Sequence, residues 1–346
     1  MQINLARLVR AYRALARREP FSGVVALADL SSGEVLFSRA AGWASRAERI
    51  PNRLATRFAS ASGSKLFTAV AALQLVEEGA LGLDQPAASL LEDFPFGARV
   101  TVRHLLNHSS GLPDYFDEDE PGADYADLWN ERPVYRMRSA RDFLPMFYGK
   151  PALFAPGERF SYNNAGFLLL ELIVERASGE PFRERVRRKV FEPAGMNGAG
   201  YFSADQLPAH TALGYLSAGP DAPTNLFSIP SIGGGDGGAY ASAPDWTHFW
   251  SALLGGRLLG PDLCAQMLAP QAPGEVAPGR PGRQYGLGVW LNVAPLRPAL
   301  RAVGSDPGVE MVSACLPADG LCLHVLSNQS DGAGALFWGL LEALEA

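Results

Sequence analysis

Ser62 and Lys65 are the residues from which chemistry could start. They stand three apart in FASASGSKLFTAVAALQLVEEG, residues 58–79, and side chains at i and i+3 on a helix are neighbours, with Cβ atoms roughly 5 to 6 Å apart. A hydroxyl and an amine then share one face. At a helix start the first N–H groups lack acceptors and the dipole places partial positive charge there, which favours an alkoxide and a neutral amine. Only three lysines, Lys65, Lys150 and Lys189, occur among the 30 basic residues. A chain that uses arginine almost everywhere has set a lysine on an apolar helix, and of the two cations lysine is the one that can lose its proton there. The pattern points to an activated serine nucleophile. Tyr162-Asn163-Asn164, in FSYNNAG, precedes a second apolar helical run. Its phenol can relay a proton and its second amide can bind both the lysine and a substrate carbonyl, although the tripeptide alone reads equally as an ordinary turn.

These groups need a scaffold. From Leu66 to Val76 only Thr68 and Gln74 are polar, so residues 58–79 are predicted as one helix, buried mid-molecule and stopped at Gly79. FSGVVALADL and GEVLFSRAAG flank Ser31-Ser32-Gly33 as a hairpin. Near the other end YGLGVWLNV, RAVGSDPGV, EMVSACL and LCLHVLS read as strands, and GALFWGLLEALEA as a closing helix. Short helical segments joined by Pro, Gly and Asp lie between. The prediction is an α/β fold of the α+β type, a mixed, largely antiparallel sheet flanked by terminal helices. Its sheet domain comprises 1–80 and 231–346, with an inserted all-helical domain at 81–230. Tyr115, Trp129 and Tyr148 in that insertion are candidates to line a pocket or to fill its core.

Several patterns exclude other functions. GGGDGGAYASAPDW has no Lys-Ser or Lys-Thr after it, so it is no P-loop, and close backbone packing at a site wall is the reading. His104 and His108 have the i, i+4 spacing of metal ligands but lack the glutamate of a zinc hydrolase motif, which leaves them a structural role. Asp117 to Glu120 is read as a solvated loop and Arg183 to Lys189 as a solvent face. A net charge of −6 argues against nucleic-acid partners. The amphipathic N-terminal segment MQINLARLVRAYRALARREP is no signal peptide. No apolar run approaches the roughly 18 residues of a membrane span, so no membrane partner and a cytoplasmic location are expected. Cys264, Cys315 and Cys322 are read as reduced, buried thiols.

Taken together, FASASGSKLFTAVAALQLVEEGALGLDQP, VTVRHLLNHSSGLPDY, APGERFSYNNAGFLLLELI, GDGGAYASAPDW and GSDPGV, in this order, resemble the serine β-lactamase-like and penicillin-binding-protein-like hydrolases. The resemblance is particularly to the class C β-lactamase, D-aminopeptidase and β-lactamase-like esterase branch. The resemblance implies that Ser62 is the nucleophile of a covalent acyl-enzyme and that Lys65 helps remove its proton. It further implies Tyr162 as general base and acid, and Asn164 as the residue fixing Lys65 and the substrate amide. The oxyanion hole falls to the N–H groups of Ser62 and of Ser305, which follows Gly304, with no metal or organic cofactor. The third motif departs from the pattern: Ala302 stands where relatives carry a cationic or imidazole side chain, and Arg301 points to the opposite face of its strand. Losing that charge weakens recognition of substrate carboxylates by roughly 10- to 150-fold. The expectation is therefore an esterase-like hydrolase of small or medium esters or amides with weak or absent β-lactamase activity. A β-lactamase or D-amino-acid peptidase is the alternative, and a non-catalytic ligand-binding descendant is the reading from another class.

Overall fold

The computed structural model describes residues 4–18, 21–117, 124–277 and 279–345. Its strands in chain order are β1 (Gly23–Asp29), β2 (Val35–Ala41), β3 (Trp43–Ser45), β4 (Ile50–Pro51), β5 (Phe58–Ala59), β6 (Tyr240–Ala241), β7 (Arg283–Tyr285), β8 (Trp290–Asn292), β9 (Ala299–Asp306), β10 (Val309–Leu316) and β11 (Leu321–Ser327). Seven of them form one sheet in the order β2-β1-β11-β10-β9-β8-β7. Every pairing in it is antiparallel, where a mixed sheet was expected.

Both faces of the sheet's centre are covered, and that explains the long apolar runs of β1 and β11. Alternate side chains of a strand point to opposite faces. Val25 and Leu27 of β1 meet Leu323, Val325 and Phe337, beneath α1 (Leu5–Leu15) and α10 (Ala333–Glu345). Val24 and Ala26 meet the other core, which holds Phe67, Trp246, Phe249 and Trp250. That second core runs without a break from the sheet into the segment between residues 81 and 230, where the described residues form helices and no strand. Among the described residues no helix is long and apolar enough to cross a membrane.

Three local readings change. Residues 58–79 are not one helix: β5 pairs with β6, a 3-10 turn spans Ala61–Ser64, and α2 runs Lys65–Glu77. Helix cannot start earlier because the Ser60 N–H and hydroxyl are both committed to the Ala239 carbonyl and Ala61 has a left-handed φ of 43°. YGLGVWLNV is interrupted by a turn at Gly288, φ 78°, so that Tyr285 ends β7 and Trp290 begins β8. Arg185 is not on a solvent face but is buried in ion pairs with Glu78 and Glu180. Cys315 and Cys322 sit directly opposite in β10 and β11 as free, buried thiols. Of the acidic run, only Asp117 lies within the described residues.

Candidate active site

Ser62 occupies the 3-10 turn, where first-turn N–H groups have no acceptor within the helix. Lys65, 2% exposed, opens α2. Its Nζ lies 2.8 Å from Ser62 Oγ, 2.7 Å from Asn164 Oδ1 and 2.6 Å from the Asp236 carbonyl oxygen. Two of these partners, the amide oxygen and the carbonyl, can only accept. They therefore take two N–H bonds of the amine and leave its third direction, an N–H when charged or a lone pair when neutral, facing the serine hydroxyl.

The glycine-rich stretch is the wall that fixes this geometry. Thr68 donates to the Gly235 carbonyl, and Ser64 accepts the Ala239 N–H. A Cβ on Gly237 would come within 3.1 Å of the Ala61 carbonyl oxygen, and one on Gly235 within 2.4 Å of the Phe167 carbonyl. Close backbone approach thus requires glycine here. Gly304 does the same for β9: a Cβ there would sit 2.1 Å from the Ser60 carbonyl oxygen. Because β8 pairs with β9 at Ala299, Leu300 and Arg301, the β9 edge beyond Arg301 has no partner strand among the described residues. Val303, Gly304 and Ser305 line a pocket there together with Ser62 and Tyr162.

Asn164 begins α5 (Asn164–Ser178), and its position comes from a buried loop, His108 to Tyr115. The Asp114 carboxylate accepts the N–H groups of Asn164 (2.5 Å), Ala165 (3.0 Å) and Tyr115 (2.7 Å). Burial raises its pKa to about 7, against the pull of those donors and of Lys65. Asn163 caps α5 through the Gly166 N–H. His108 receives the Asn163 N–H on Nδ1, so its proton is on Nε2, 3.1 Å from the Tyr285 hydroxyl. Burial and nearby Lys65 hold the imidazole well below its ordinary pKa, and it is neutral. Tyr162 packs against the His108 ring, 4.4 Å away between centroids, and the Trp290 ring at 6.1 Å. Lys65 Nζ is 5.1 Å from the Tyr162 ring centre.

Ser62 therefore stands where two pockets meet. One, bounded by Tyr162, Trp290 and Ser305, is open. The other, about 790 Å³ counted out to its mouth, is lined by Tyr115, Asn164, Glu171, Arg183, Asp236, Tyr240 and Asp306. In it Tyr115 donates to Asp236 Oδ2 at 2.6 Å, and Glu171 accepts the Gly235 N–H at 2.6 Å while burial pushes its carboxyl up to about 7.

The structure thus brings together Ser62, Lys65, Tyr162, Asn164, Gly304 and Ser305. It leaves Ala302 3% exposed in the core and turns Arg301 away, its guanidinium 5.2 Å from the Trp338 ring of α10. Trp129 and Tyr148 line neither pocket, whereas Tyr115 does. His104 caps a short helix at Thr101, and among the described residues no acidic, histidine or cysteine cluster could hold a metal. Asp114, Glu171 and Asp236 were missed because a lone acid has no partner visible in sequence. Asp114 does lie in HSSGLPDY and Asp236 in GGGDGG, both stretches already marked.

The profile described as Beta-lactamase matches residues 5–344. The chain belongs to the β-lactamase family of serine hydrolases. Within this family, Penicillin-binding protein 4* of Bacillus subtilis (strain 168) is 35% identical over 208 residues, 59% of this chain and 44% of that protein, so the chain spans less than half of that relative. Esterase EstB of Burkholderia gladioli is 30% identical over 320 residues, 81% of this chain and 78% of the esterase. A penicillin binding protein from Bacillus halodurans has the same fold at a TM-score of 0.87, with 44% identity over 96% of this chain and 99% of that one.

Proposed function

We propose that this β-lactamase-family hydrolase is acylated at Ser62 by peptide-like amides, β-lactams included, and then hydrolyses the acyl-enzyme. The carrying observation is the Lys65 amine, committed to Asn164 and the Asp236 carbonyl and left facing Ser62 Oγ at 2.8 Å. In its neutral form the amine takes the serine proton as the Oγ–carbon bond forms. The oxyanion develops beside the Ser62 and Ser305 N–H groups. Tyr162 gives its proton to the leaving nitrogen or oxygen as that bond breaks, and the Lys65 ammonium returns a proton to the phenolate. Serine and substrate become acyl-serine and protonated leaving group, with the amine and phenol restored. Water reverses the sequence.

Similarity to penicillin-binding proteins at 44% and 35% identity supports amides over the esters expected from Ala302 alone. Esters remain the second reading, favoured by the lack of a cationic side chain at Ala302 and by likeness to EstB. The leaving group, which Tyr162 must protonate, occupies the pocket with Trp290 and Ser305, and the acyl group occupies the pocket with Asn164 and Glu171. Nitrocefin, a D-alanyl-D-alanine peptide and p-nitrophenyl butyrate, each given to wild type and Ser62→Ala, test the proposal. A β-lactam adduct on Ser62 by intact mass, absent in the variant, is the expected result. Butyrate turnover with no adduct and no peptide cleavage would replace it with the esterase reading, and no acylation by any of the three would remove both.

A further inference from the structure

The geometry points to His108 as the positioning residue for Tyr162, an inference that rests on the proposed role of Tyr162 as proton donor. Three separate contacts tie His108 to residues 161–163. Its carbonyl oxygen accepts the Ser161 N–H at 2.8 Å, its Nδ1 accepts the Asn163 N–H at 3.1 Å, and its ring lies against the Tyr162 ring at 4.4 Å. The residues bonded on either side of Tyr162 are thus held by one histidine, whose ring also packs against the phenol. Trp290 also packs on Tyr162, nearly parallel to it at 20°.

His108 is itself fixed. Its Nε2 meets the Tyr285 hydroxyl, and Tyr285 packs edge-on against Trp290 at 4.9 Å, so the two rings that touch Tyr162 are both braced by one tyrosine. Its φ is 55°, a left-handed conformation uncommon outside glycine, in which asparagine, aspartate and histidine are the enriched exceptions. A residue filling a core would not need that backbone. Here it turns the imidazole so that carbonyl, ring nitrogen and ring face all reach one tripeptide. The role also requires a neutral ring, since a protonated Nδ1 could not accept the Asn163 N–H. Burial and Lys65 keep it neutral.

The chemical consequence depends on the leaving group. p-Nitrophenolate departs with little help, whereas an alkoxide or amine must be protonated as it leaves, so a displaced Tyr162 harms the second kind more. A fault that merely loosens the fold harms both alike. The test is a series of butyrate esters, p-nitrophenyl, phenyl and ethyl, hydrolysed by wild type, His108→Phe, His108→Asn and Tyr162→Phe.

His108→Phe keeps a ring but leaves the Asn163 N–H without its acceptor. Its loss in kcat is expected to grow from a few-fold on the nitrophenyl ester to about 10²-fold on the ethyl ester, with KM nearly unchanged. His108→Asn tolerates the left-handed backbone and keeps a neutral acceptor, so it is expected to recover part of that loss and to fold if the Phe variant does not. A loss that rises in Tyr162→Phe but is equal across the series in both His108 variants overturns the positioning role and leaves Tyr162 as donor. A flat series in Tyr162→Phe overturns the donor role and the inference with it.

Discussion

Gly304→Ala should damage catalysis far more than stability, and the reason can be worked from distances. The added Cβ would lie 2.1 Å from the Ser60 carbonyl oxygen, 2.9 Å from the Gly63 nitrogen and 3.1 Å from Ala61 Cβ, whereas ordinary contact begins near 3.4 Å. All but the last are backbone atoms, so no side chain can swing aside. β9 and the Ser62 turn must part by about 1 Å, and these are the two elements that carry the proposed oxyanion donors. A misplacement of that size costs about 10²-fold, and full loss of one donor about 10² to 10³. The φ of Gly304 is not left-handed, so alanine adds no backbone strain. Acylation of Ser62 would be followed by intact mass and by p-nitrophenyl butyrate turnover, with urea unfolding in parallel. Gly79→Ala is the control: at φ 74° with open space around it, it should lose some stability and no activity. Acylation of Gly304→Ala at the wild-type rate would refute the placement of the oxyanion hole between β9 and the 3-10 turn.

Arg301→Leu should leave kcat/KM on nitrocefin within about two-fold of wild type, since the guanidinium faces Trp338 and burial has already lowered its pKa to about 10. A tenfold fall would show that it reaches the substrate. Glu171→Gln should change the pH dependence of stability. The carboxyl has its pKa raised from 4.5 to about 7, so its contribution is fully present below pH 4.5 and is lost as pH rises through 7. The wild type should lose about 3 kcal/mol relative to the glutamine variant between pH 4.5 and 8 in urea titrations. His324, lowered to about 3, has the opposite slope in both proteins and cancels, so parallel curves would refute the assignment. Glu275→Gln removes an exposed negative charge from the leaving-group pocket and should raise nitrocefin turnover about two-fold at low salt while leaving a neutral ester unaffected. An equal rise on both substrates would count against a charge effect.

The proximity of Ser62 and Lys65 was legible in residue type and local spacing, that of Asn164 only through the family resemblance, and the central strands β1 and β11 were legible because both faces are buried. What stayed hidden depends on backbone conformation and on partners distant in sequence. Nothing local shows that Ser60 will bond to Ala239, yet that contact moves the start of α2 past Ser62. The expected spacing of the serine and the lysine survives the shift, since a 3-10 turn also brings i and i+3 together. The turn inside YGLGVWLNV escaped because Gly288 packs against Ala69 of α2, where a Cβ would approach to 2.3 Å. The need for glycine there is tertiary. His108 was read as structural, but its hold on residues 161–163 links segments more than fifty positions apart.

Ser62 and Tyr162, the two side chains that would exchange protons with Lys65, each depend on a non-glycine residue in the left-handed region. Ala61, φ 43°, precedes the serine, and His108, φ 55°, backs the tyrosine. Such a conformation costs roughly 1–2 kcal/mol per residue, and it persists only where neighbouring bonds over-determine it. Both sites meet that condition. The Ala61 carbonyl accepts the Gly238 N–H at 3.1 Å, within a wall already joined to Ser60 and Ser64. The His108 carbonyl accepts the Ser161 N–H while its ring is bonded at both nitrogens. The strain therefore acts as a constraint: relaxing either φ would break buried hydrogen bonds that hold the Ser62 turn or residues 161–163. Lys65 thus has its amine 2.8 Å from Ser62 Oγ and 5.1 Å from the Tyr162 ring centre, and in the proposed mechanism one amine serves both residues.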